Sequence, residues 1–560
     1  MNTKMPVGIE DFKEARDNYY VVDKTKFICQ LIDNRTKVSL FTRPRRFGKT
    51  LTMSMLEYFF SIDKKEESFP LFQGLYIERV SQEYMAQRGK YPVIFISLKE
   101  CGEVSWDEMY QQFTVEIQNI FQQHRYILSG EHFKHEEKEQ IQRFLERTAE
   151  EVDYKRSLQY LSRYLYLYFG VKPIILIDEY DAPLQYAHDN NFYDEAIQFF
   201  RRWFSAALKG NDCLEFAVMT GVLRIAKESI FSGLNNLSVY SVLDDAYSDV
   251  FGFTEDEVIQ MANDIGHGDT LEEVKKWYDG YTFGKQEIYN PWSVICYFNN
   301  LDKPAPYWVN TSGNSILKEL LQRADIERME ALQKLIDGAS VSTTIDEGIL
   351  YSDIGKSDSA LYSMMLNTGY LKATHLGEAV GGIELYNVKI PNEEIKQVYK
   401  REILENITQG LNVNLFINFQ IALLHGEGEK VTLRLEEILL KMASFYDMRQ
   451  PESFYHGLLL GMTCLLEGPE YQVVSNRESG YGRFDLAVFP TDIKRYGIIL
   501  EFKVASSEKQ LENKAKEALA QIEEKNYVIE FQRRHIMHVW KYGIAFWGKR
   551  VMLMQGHNSI

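Results

Sequence analysis

The sequence predicts an α/β protein with an N-terminal parallel sheet, a mostly helical middle region and a smaller α/β domain near its C-terminal end. Short apolar runs alternate with long helical stretches from Lys37 to about Thr220, and a similar rhythm of helices and strands returns from Pro451 onward. Buried runs of about four to six residues between helices are typical of parallel strands. Between these regions, beyond Ser248, the pattern is mainly helical.

The apolar runs give the expected strands of the N-terminal sheet. They are Val38–Thr42, Val93–Leu98, Ile174–Ile177 and Phe216–Met219. In the middle region, the aromatic and glycine-rich segment Trp277–Trp292 predicts a small hairpin between helices, and Gly369–Ile390 includes strand-like pieces. The C-terminal region is expected to end in a hairpin over Gly543–Met554.

Length and composition indicate a folded chain of several domains. At 560 residues the chain exceeds the usual size of one domain, and its length suggests about three or four. Apolar residues make up 45% of the chain, so each domain can bury a core. We expect an α/β domain over 1–247, a helical lid over 248–345, a helical connector over 346–445 and a second α/β domain over 446–560.

Several features favour a cytoplasmic protein. The longest apolar stretches, such as Gly457–Leu466, are about half as long as the roughly 20 residues of a membrane-spanning helix. The N-terminus lacks the apolar segment of a secretory signal. The five cysteines are scattered and never spaced as Cys-x-x-Cys, which argues against a disulfide framework or a structural zinc site. We therefore expect a cytoplasmic chain with no membrane partner.

The net charge of −17 limits how the protein can bind nucleic acid. Non-specific binding to DNA or RNA requires basic side chains that neutralise phosphates, so an acidic protein needs local basic clefts. The sequence offers Arg43–Arg46 and Lys541–Arg550, with Arg533 and Arg534 nearby. We expect DNA or RNA to bind through such clefts.

The first strand is followed by a candidate phosphate-binding loop. Val38–Phe41 leads into Thr-Arg-Pro-Arg-Arg-Phe-Gly-Lys-Thr, and a helical pattern follows over Leu51–Phe60. In such a loop, backbone N–H groups and the N-terminus of the helix face phosphate. Lys49 would reach the β- and γ-phosphates, and the Thr50 hydroxyl would bind Mg²⁺. Arg43 stands at the first glycine of G-x-x-x-x-G-K-[ST], and Gly-Lys-Thr also fits an ordinary helix start.

Two carboxylates follow the strand Ile174–Ile177. Because ligands bind at the carboxyl edge of open α/β sheets, Asp178 would lie where a nucleotide binds. Asp178 would hold the Mg²⁺ shell and Glu179 would activate the attacking water. The alternative is that both are solvated turn residues after a core strand.

The strand Phe216–Met219 ends in Thr220-Gly221-Val222-Leu223-Arg224. Thr220 would sense the γ-phosphate and Arg224 would stabilise transferred charge, or they are only a strand cap and a surface arginine. The expected ligand is therefore ATP with Mg²⁺. The expected nucleotide-binding residues are Arg45, Arg46, Phe47, Gly48, Lys49, Thr50, Asp178, Thr220 and Arg224.

A second candidate site lies on the apolar strand Ile498–Val504. Alternation along a strand places Glu501 and Lys503 on the same face, opposite the apolar residues. Opposite charges on a mostly buried strand are costly unless they serve a site or a salt bridge. Asp485 begins another apolar strand, and a hairpin would bring it beside Glu501.

This set of residues suits metal-dependent hydrolysis of phosphodiesters. Asp485 and Glu501 would bind Mg²⁺ or Mn²⁺, and Lys503 would orient the attacking water or stabilise developing charge. Gln521, on the helix that follows, would support that water or a metal ligand. The expected catalytic residues of the chain are Glu179, Asp485, Glu501, Lys503 and Gln521.

The N-terminal motifs resemble those of the bacterial AAA-ATPase-like family. They are Arg-Pro-Arg-Arg-Phe-Gly-Lys-Thr, Leu-Ile-Asp-Glu-Tyr-Asp-Ala-Pro-Leu, Thr-Gly-Val-Leu-Arg-Ile-Ala-Lys-Glu-Ser-Ile-Phe-Ser-Gly-Leu-Asn-Asn, and the opening Pro-Val-Gly-Ile-Glu-Asp-Phe followed by Tyr20–Thr25. The resemblance covers roughly residues 5–310. It implies an ATP-binding P-loop module with a helical lid, here Ser248–Glu319, that often assembles into oligomers. In that family arginine routinely occupies the position of Arg43.

The C-terminal pattern resembles the PD-(D/E)XK nuclease superfamily, whose domain the AAA-like family often carries at its C-terminus. Phe484-Asp485 replaces the Pro-Asp of the motif, and Glu501–Lys503 supplies the rest. The resemblance covers about residues 450–560 and implies a restriction-endonuclease-like α/β fold that acts on nucleic acid. The alternative is a degenerate nuclease-like domain whose charges form a structural pair.

Two interpretations of the whole chain follow. In the first, ATP binding controls a metal-dependent nuclease. In the second, the chain is an ATP-dependent switch or scaffold whose inactive nuclease-like domain binds a partner, which the acidic charge balance favours. A kinase or ligase has little support, because the sequence shows no substrate signature beyond the P-loop.

Overall fold

The fold is that of a computed structural model. It describes residues 4–130, 133–224, 236–300, 302–308, 331–332, 334–336, 338–349, 357–379, 381–408, 413–442, 455, 458–459, 461–463, 466, 470–479 and 482–559. The chain divides into two compact units. Unit 1 comprises Met1–Ser312 and Ser342–Ile395, and unit 2 comprises Gly313–Val341 and Lys396–Ile560. The expected division into four parts remains a prediction.

Unit 1 is built around a five-stranded parallel sheet with the strand order β2-β3-β4-β1-β5. The strands are β1 (Val38–Thr42), β2 (Val93–Ser97), β3 (Ile174–Asp178), β4 (Ala217–Gly221) and β5 (Leu237–Tyr240). Every residue of β1, β3 and β4 is buried, as expected for central strands covered by helices. The predicted α/β fold class is confirmed.

Helices surround this sheet and extend the unit beyond it. They are α1 (Phe12–Asn18), α2 (Lys26–Asn34), α3 (Lys49–Phe60), α4 (Lys65–Leu71), α5 (Tyr76–Val80), α6 (Gln82–Met85), α7 (Trp106–Gln123), α8 (His135–Glu146), α9 (Glu151–Tyr154), α10 (Ser157–Phe169), α11 (Ala182–Asp189) and α12 (Tyr193–Leu208). Short 3-10 helices lie at Lys99–Cys101, Arg125–Ser129 and Gly268–Thr270 in unit 1 and at Glu508–Gln510 in unit 2.

The lid region follows β5 in the chain. It contains α13 (Glu255–Ile265), α14 (Leu271–Tyr278), the hairpin β6 (Tyr281–Phe283) and β7 (Gln286–Ile288), and α15 (Pro291–Asn299). The hairpin lies within the predicted segment. A core that includes Val258, Val274 and Val294 joins the three helices to Met5 of the N-terminal segment. Residues 309–330 of the expected lid, and residues 225–235 of the quoted motif, lie outside the described residues.

The expected helical connector contains strands as well as helices. After α16 (Asp358–Thr368), the strands β9 (Lys372–Ala379) and β10 (Ile383–Lys389) pair antiparallel, and β10 also pairs with β8 (Val341–Thr343). The helix α17 (Glu393–Thr408) follows. The strand-like pieces expected within Gly369–Ile390 correspond to β9 and β10.

Unit 2 contains a mixed sheet with helices on both faces. Its strands, in spatial as well as chain order, are β11 (Tyr471–Ser479), β12 (Gly482–Pro490), β13 (Gly497–Val504), β14 (His538–Trp547) and β15 (Arg550–Ser559). Only β13 and β14 are parallel within this sheet of described strands. The described helices that follow α17 include α18 (Val413–Leu424), α19 (Gly428–Met442), α20 (Leu511–Glu524) and α21 (Ile529–Arg533).

Alternation along β12 and β13 sends side chains to opposite faces of this sheet. Leu486 and Leu500 pack with α18 and α19 on one face, while Ala487 and Ile499 pack with α20 and α21 on the other. The crossover through α20 explains why β13 and β14 run parallel. The predicted strand pair around Asp485 and the C-terminal hairpin are both present, with Asp485 inside β12.

Candidate functional site

The phosphate-binding loop connects β1 to α3. Two residues of the loop have left-handed backbones, Arg46 with φ of 69° and Gly48 with φ of 79°. Lys49 begins α3, and its buried ammonium donates to the carbonyls of Arg43 at 3.1 Å and Pro44 at 3.0 Å. Burial lowers the pKa of Lys49, and the nearby Glu179 opposes that shift. The loop therefore folds around one buried cation.

Arg43 has a structural position rather than a place among the phosphate-facing groups. Its side chain is completely buried, and burial lowers its pKa to about 10. The guanidinium donates to the backbone carbonyls of Thr42, Tyr240 and Tyr247. It also lies over the aromatic rings of Phe251 and Phe283. Arg43 thus ties the loop to β5 and to the segment after it, and the left-handed turn falls on Arg46 and Gly48 instead.

Asp178 is the last residue of β3, at the edge of the sheet where β1 and β4 also end. Because β4 lies between β3 and β1, Thr220 and Thr50 approach the same carboxylate. Thr50 Oγ1 donates to Asp178 Oδ2 at 2.7 Å, and Thr220 Oγ1 donates to Oδ1. Burial raises the pKa of Asp178, and these two hydroxyl groups oppose the shift. The structure therefore brings Lys49, Thr50, Asp178 and Thr220 together.

The two acids that follow β3 differ in surroundings. Glu179 is half-buried with φ of 49°, a backbone that non-glycine residues rarely adopt, and it lines a cavity. Asp181 is buried and accepts from the backbone N–H groups of Val222 at 2.9 Å and Leu223 at 2.8 Å. Sequence reasoning missed Asp181, although the second aspartate of Asp-Glu-Tyr-Asp was a visible signal. Asp181 holds the chain that follows β4.

Glycine is required next to these acids. A Cβ at Gly221 would lie 2.6 Å from Asp181 Oδ1 and 2.5 Å from the Tyr180 ring, so a side chain there would displace the loop after β3. Arg224, three residues further on, is half-buried and does not line the cavity. Its expected role at the transferred phosphate remains a prediction.

A cavity of about 340 Å³ opens beside the loop within unit 1. Its walls come from the phosphate-binding loop, the start of α11, the N-terminal segment and the lid. They include Arg45, Arg46, Phe47, Gly48, Lys49, Thr50, Lys99, Glu179, Ala182 and Tyr186, together with Ile9, Tyr20, Val22, Lys24, Phe253, Met261, Pro291 and Trp292. The N-terminal and lid residues were not predicted as site residues, because only the tertiary fold places them beside the loop.

One ion pair joins two walls of this cavity. Lys24 Nζ lies 2.7 Å from Glu257 Oε2 on α13 and donates to the carbonyl of Asp249 at 2.8 Å. Burial lowers the pKa of Lys24, and Glu257 opposes the shift. The N-terminal segment is therefore fastened to the lid by a partly desolvated pair. A cavity of this size with several cations among its lining residues suits a phosphorylated small molecule.

The second site lies where β12 and β13 pair. Leu486 is opposite Leu500 in the register, so Asp485 and Glu501 lie next to each other. The backbone N–H of Phe502 donates to Asp485 Oδ2 at 2.9 Å, and the backbone N–H of Asp485 approaches Glu501 Oε2 at 3.3 Å. The predicted meeting of the two acids is therefore present in the structure.

Gln521 of α20 connects the two charges of β13. Its Nε2 donates to Glu501 Oε1, and its Oε1 accepts from Lys503 Nζ at 2.7 Å. Glu501 is 3% exposed, and its burial, followed by the neighbouring Asp485, raises its pKa to about 8. All four predicted residues therefore lie in one contiguous group.

Tyr527 was not predicted as part of this group. Its buried hydroxyl accepts from Gln521 Nε2 at 3.2 Å and donates to the carbonyl of Arg483 at 2.7 Å. It thereby holds Gln521 against β12, two residues before Asp485. No local sequence pattern marked this tyrosine, because its partners come from a distant strand and helix.

Both candidate sites offer the oxygen ligands that a hard divalent cation binds. Hydroxyl and carboxylate oxygens are the ligands that Mg²⁺ prefers, and Thr50 and Asp178 offer them in unit 1. In unit 2 Asp485 raises the pKa of Glu501, a repulsion that a bound cation would relieve. Among the described ranges, no group of three or more His, Cys, Asp or Glu side chains is arranged to hold a metal. The two pairs therefore fit a cation with water ligands.

The expected basic clefts need correction at two residues. Arg43 is buried in its carbonyl contacts, and Lys541 is fully buried and paired with Glu523 at 2.7 Å. Neither can contact nucleic-acid phosphates from such a position, since each is occupied by protein groups. Arg534 lies 4.0 Å from the centre of the Phe489 ring and bonds Gln472. In the part of the chain that the structure describes, no helix has both the length and the apolar character to cross a bilayer.

Comparison with known proteins matches both regions. A family model described as predicted AAA-ATPase matches residues 6–231, and one for the PD-(D/E)XK nuclease superfamily matches residues 450–556. The chain is also 30% identical over 409 residues to a protein described as "Uncharacterized protein in vnfD 5'region" from Azotobacter chroococcum mcd 1. That alignment covers 72% of this chain and 70% of the other protein. Each matched range contains one of the two candidate sites.

Proposed function

The chain belongs to the predicted AAA-ATPase family and carries a domain of the PD-(D/E)XK nuclease superfamily, and from this premise we propose that it is a cytoplasmic ATPase that controls a metal-dependent nuclease. The observation that carries the proposal is the presence of two separate groups of charges, each held by neutral partners. One surrounds Asp178 and the other surrounds Glu501. Nucleic acid would be the substrate of the second group.

In unit 1, Lys49 and the loop N–H groups bind the β- and γ-phosphates of ATP. Thr50 and Asp178 would hold magnesium, whose positive charge would neutralise the phosphates. Glu179 orients a water whose oxygen bonds to the γ-phosphorus, while the bond to the bridging oxygen breaks and its electron pair leaves with ADP. The water proton passes to the Glu179 carboxylate and then to solvent. The position of Glu179 on the cavity wall supports this role.

In unit 2, Asp485 and Glu501 would hold Mg²⁺ or Mn²⁺, which would supply positive charge beside the scissile phosphate. Lys503 stabilises the negative charge that develops on phosphate oxygens, and Gln521 keeps Lys503 and Glu501 in place. A water oxygen bonds to phosphorus and loses one proton to solvent, one ester bond breaks, and the departing oxygen takes the electron pair and a proton from solvent. The contacts of Gln521 with both charges support this arrangement.

The test is Asp485→Ala, with cleavage of single- and double-stranded DNA and RNA measured in Mg²⁺ or Mn²⁺, with and without ATP. We expect cleavage to fall by about 1,000-fold or more, since a metal ligand and its charge are removed, and ATP affinity to be unchanged. Asp492→Ala is the matched control, because Asp492 is exposed in the loop between β12 and β13. Undiminished cleavage by Asp485→Ala would remove this residue from the mechanism.

A second candidate function is an ATP-dependent switch or scaffold with an inactive nuclease-like domain. The net charge of −17 and the burial of Lys541 favour it, because both reduce the positive surface that nucleic acid needs. The same assay separates the two functions. Absence of cleavage by the wild-type chain on every substrate, combined with ATP binding, would favour the scaffold.

A further inference from the structure

Two consecutive arginines of the phosphate-binding loop, Arg45 and Arg46, contact different parts of unit 1. The guanidinium carbon of Arg46 lies 4.2 Å from the centre of the Trp292 ring on the lid helix α15. Trp292 is itself held by a bond of 3.3 Å from its indole N–H to the carbonyl of Tyr307. Arg46 has a left-handed backbone, so its side chain and that of Arg45 leave the loop in different directions. Arg46 is therefore a contact between the loop and the lid.

Arg45 contacts the opposite wall. Its Nη2 donates to Gln185 Oε1 at 2.6 Å. Gln185 lies on α11, which begins at Ala182, three residues after Glu179. Arg45, Glu179 and Ala182 all line the cavity. Arg45 is consequently placed at the end of the cavity where the attacking water is expected.

The partner of Arg45 is neutral, and this decides what Arg45 can bind. A guanidinium has five N–H donors, of which the bond to Gln185 uses one. A carboxylate at position 185 would neutralise the charge, whereas an amide leaves it available for an anion. Arg45 also lies close enough to Lys49 to lower the pKa of that ammonium. Two neighbouring cations are favourable in this place when an anion binds between them.

We propose that the two arginines act on different parts of the reaction: Arg45, positioned by Gln185, contacts the γ-phosphate of ATP, and Arg46 binds the lid through Trp292. The inference rests on the proposed nucleotide site and adds to it the residue that distinguishes ATP from ADP. In hydrolysis, Arg45 donates to γ-phosphate oxygens while the γ-phosphorus bonds to the water oxygen and ADP leaves with the electron pair of the broken bond. Its planar fork suits such contacts.

The test compares the affinities of ATP and ADP, each with Mg²⁺, by calorimetry for Arg45→Ala and Arg46→Ala. We expect Arg45→Ala to lower the preference for ATP over ADP by about tenfold or more, since a charge-assisted contact with the γ-phosphate is lost, with ADP affinity nearly unchanged. Arg46→Ala should weaken both nucleotides by the same factor, about fivefold, because a cation–π contact with the lid is lost. In turnover, Arg45→Ala should lower kcat more than it raises KM.

Two further variants test the partners. Gln185→Glu keeps the shape of the side chain but gives Arg45 a carboxylate, so it should lower the ATP preference, an effect that a merely structural role would not produce. Trp292→Ala should reproduce Arg46→Ala, and Trp292→Phe, which keeps an aromatic face, should restore part of the affinity. Arg202→Ala, an exposed arginine on α12, is the matched control.

The outcomes separate this inference from the proposed function. Equal loss of ATP and ADP affinity in Arg45→Ala, or a lost ATP preference in Arg46→Ala, overturns the division between the arginines while leaving the nucleotide site in place. A wild-type chain that binds neither nucleotide overturns both. If Arg45→Ala does not fold, Arg45→Lys decides, since it keeps the charge but loses the fork, and an unchanged ATP preference there contradicts the proposal.

Discussion

The charges of the two candidate sites are held in different ways. In unit 1, Asp178 accepts from two hydroxyl groups, Thr50 and Thr220, and Lys49 donates to two backbone carbonyls. In unit 2, one amide, Gln521, holds both Glu501 and Lys503. Both sites keep opposite charges apart with neutral groups, but unit 1 uses separate partners and unit 2 uses a shared one.

This difference has a physical consequence. An ion held by a neutral partner keeps its charge for a ligand, whereas an ion in a direct pair must break that pair first. Separate partners allow one charge to be altered while the other keeps its position. A shared partner couples the charges, so loss of Gln521 would let Lys503 and Glu501 approach each other directly. In unit 1, a substitution of one partner should therefore affect one charge, whereas in unit 2 a substitution of Gln521 should affect both.

The largest effect is expected at the buried cation of unit 1. Lys49→Ala should weaken ATP binding by about 100-fold, because charge-assisted hydrogen bonds to the phosphates are lost. Titration calorimetry with ATP and Mg²⁺ measures the change. Lys285→Ala, an exposed lysine of the same unit, is the control and should bind ATP as the wild type does. Normal ATP affinity in Lys49→Ala would contradict the idea that neutral partners keep the charge of Lys49 for a ligand, since Lys49 would then be only a structural cation.

The shared partner of unit 2 is expected to have the next largest effect. Gln521→Ala should weaken Mn²⁺ binding, measured by calorimetry without nucleotide, by at least about tenfold, a typical result of losing a residue that orients a metal ligand. Gln510→Ala, an exposed glutamine before the same helix, provides the comparison. Unchanged Mn²⁺ affinity in Gln521→Ala would show that the two charges of β13 keep their positions without the amide.

A smaller effect is expected at Glu394, a buried carboxyl group of unit 1 that lies outside both candidate sites. It tests how burial alone shifts the pKa of a carboxyl group. Glu394 accepts from Ser293 Oγ at 2.8 Å and from the Trp308 backbone N–H at 2.8 Å. Burial raises its pKa to about 8 from 4.5. Between these values the folded chain holds a proton that the unfolded chain has lost, so the free energy of unfolding should fall as pH rises, by at most about 1.4 kcal/mol per pH unit.

Glu394→Gln should make that slope shallower, because glutamine does not titrate and the contribution of Glu394 is lost. Denaturant unfolding of both proteins from pH 5 to pH 8 measures it, with Glu287→Gln at an exposed position as the control. An equally steep slope in Glu394→Gln and in the wild type would show that other groups, such as Glu501, cause it. A flat profile in the wild type would show that Glu394 stays ionised in the fold, in contrast to the burial effect also expected for Glu501.

The sequence predicted the positions of the charged site residues better than it predicted the partners that hold them. Local patterns identified Lys49, Asp178 and Glu501, because each follows or lies within an apolar strand whose burial could be read from neighbouring residues. The roles proposed for these residues stay predictions, whereas their placement is a property of the fold. Arg43 showed the limit of this reasoning. Its place in the loop pattern was visible, but two of its three carbonyl partners lie about 200 positions away, on β5 and in the segment that follows it.

The sequence by itself determined the α/β class, most of the central strands and the polar residues at their ends, since periodicity and burial are local properties. Tertiary structure decided which side chains meet. Thr50 and Asp178 are 128 positions apart, and Arg45 and Gln185 are 140 apart. Their contacts follow from the strand order and the docking of α11, neither of which any local pattern encodes. Tyr527 and Gln185 therefore entered the sites only through the fold.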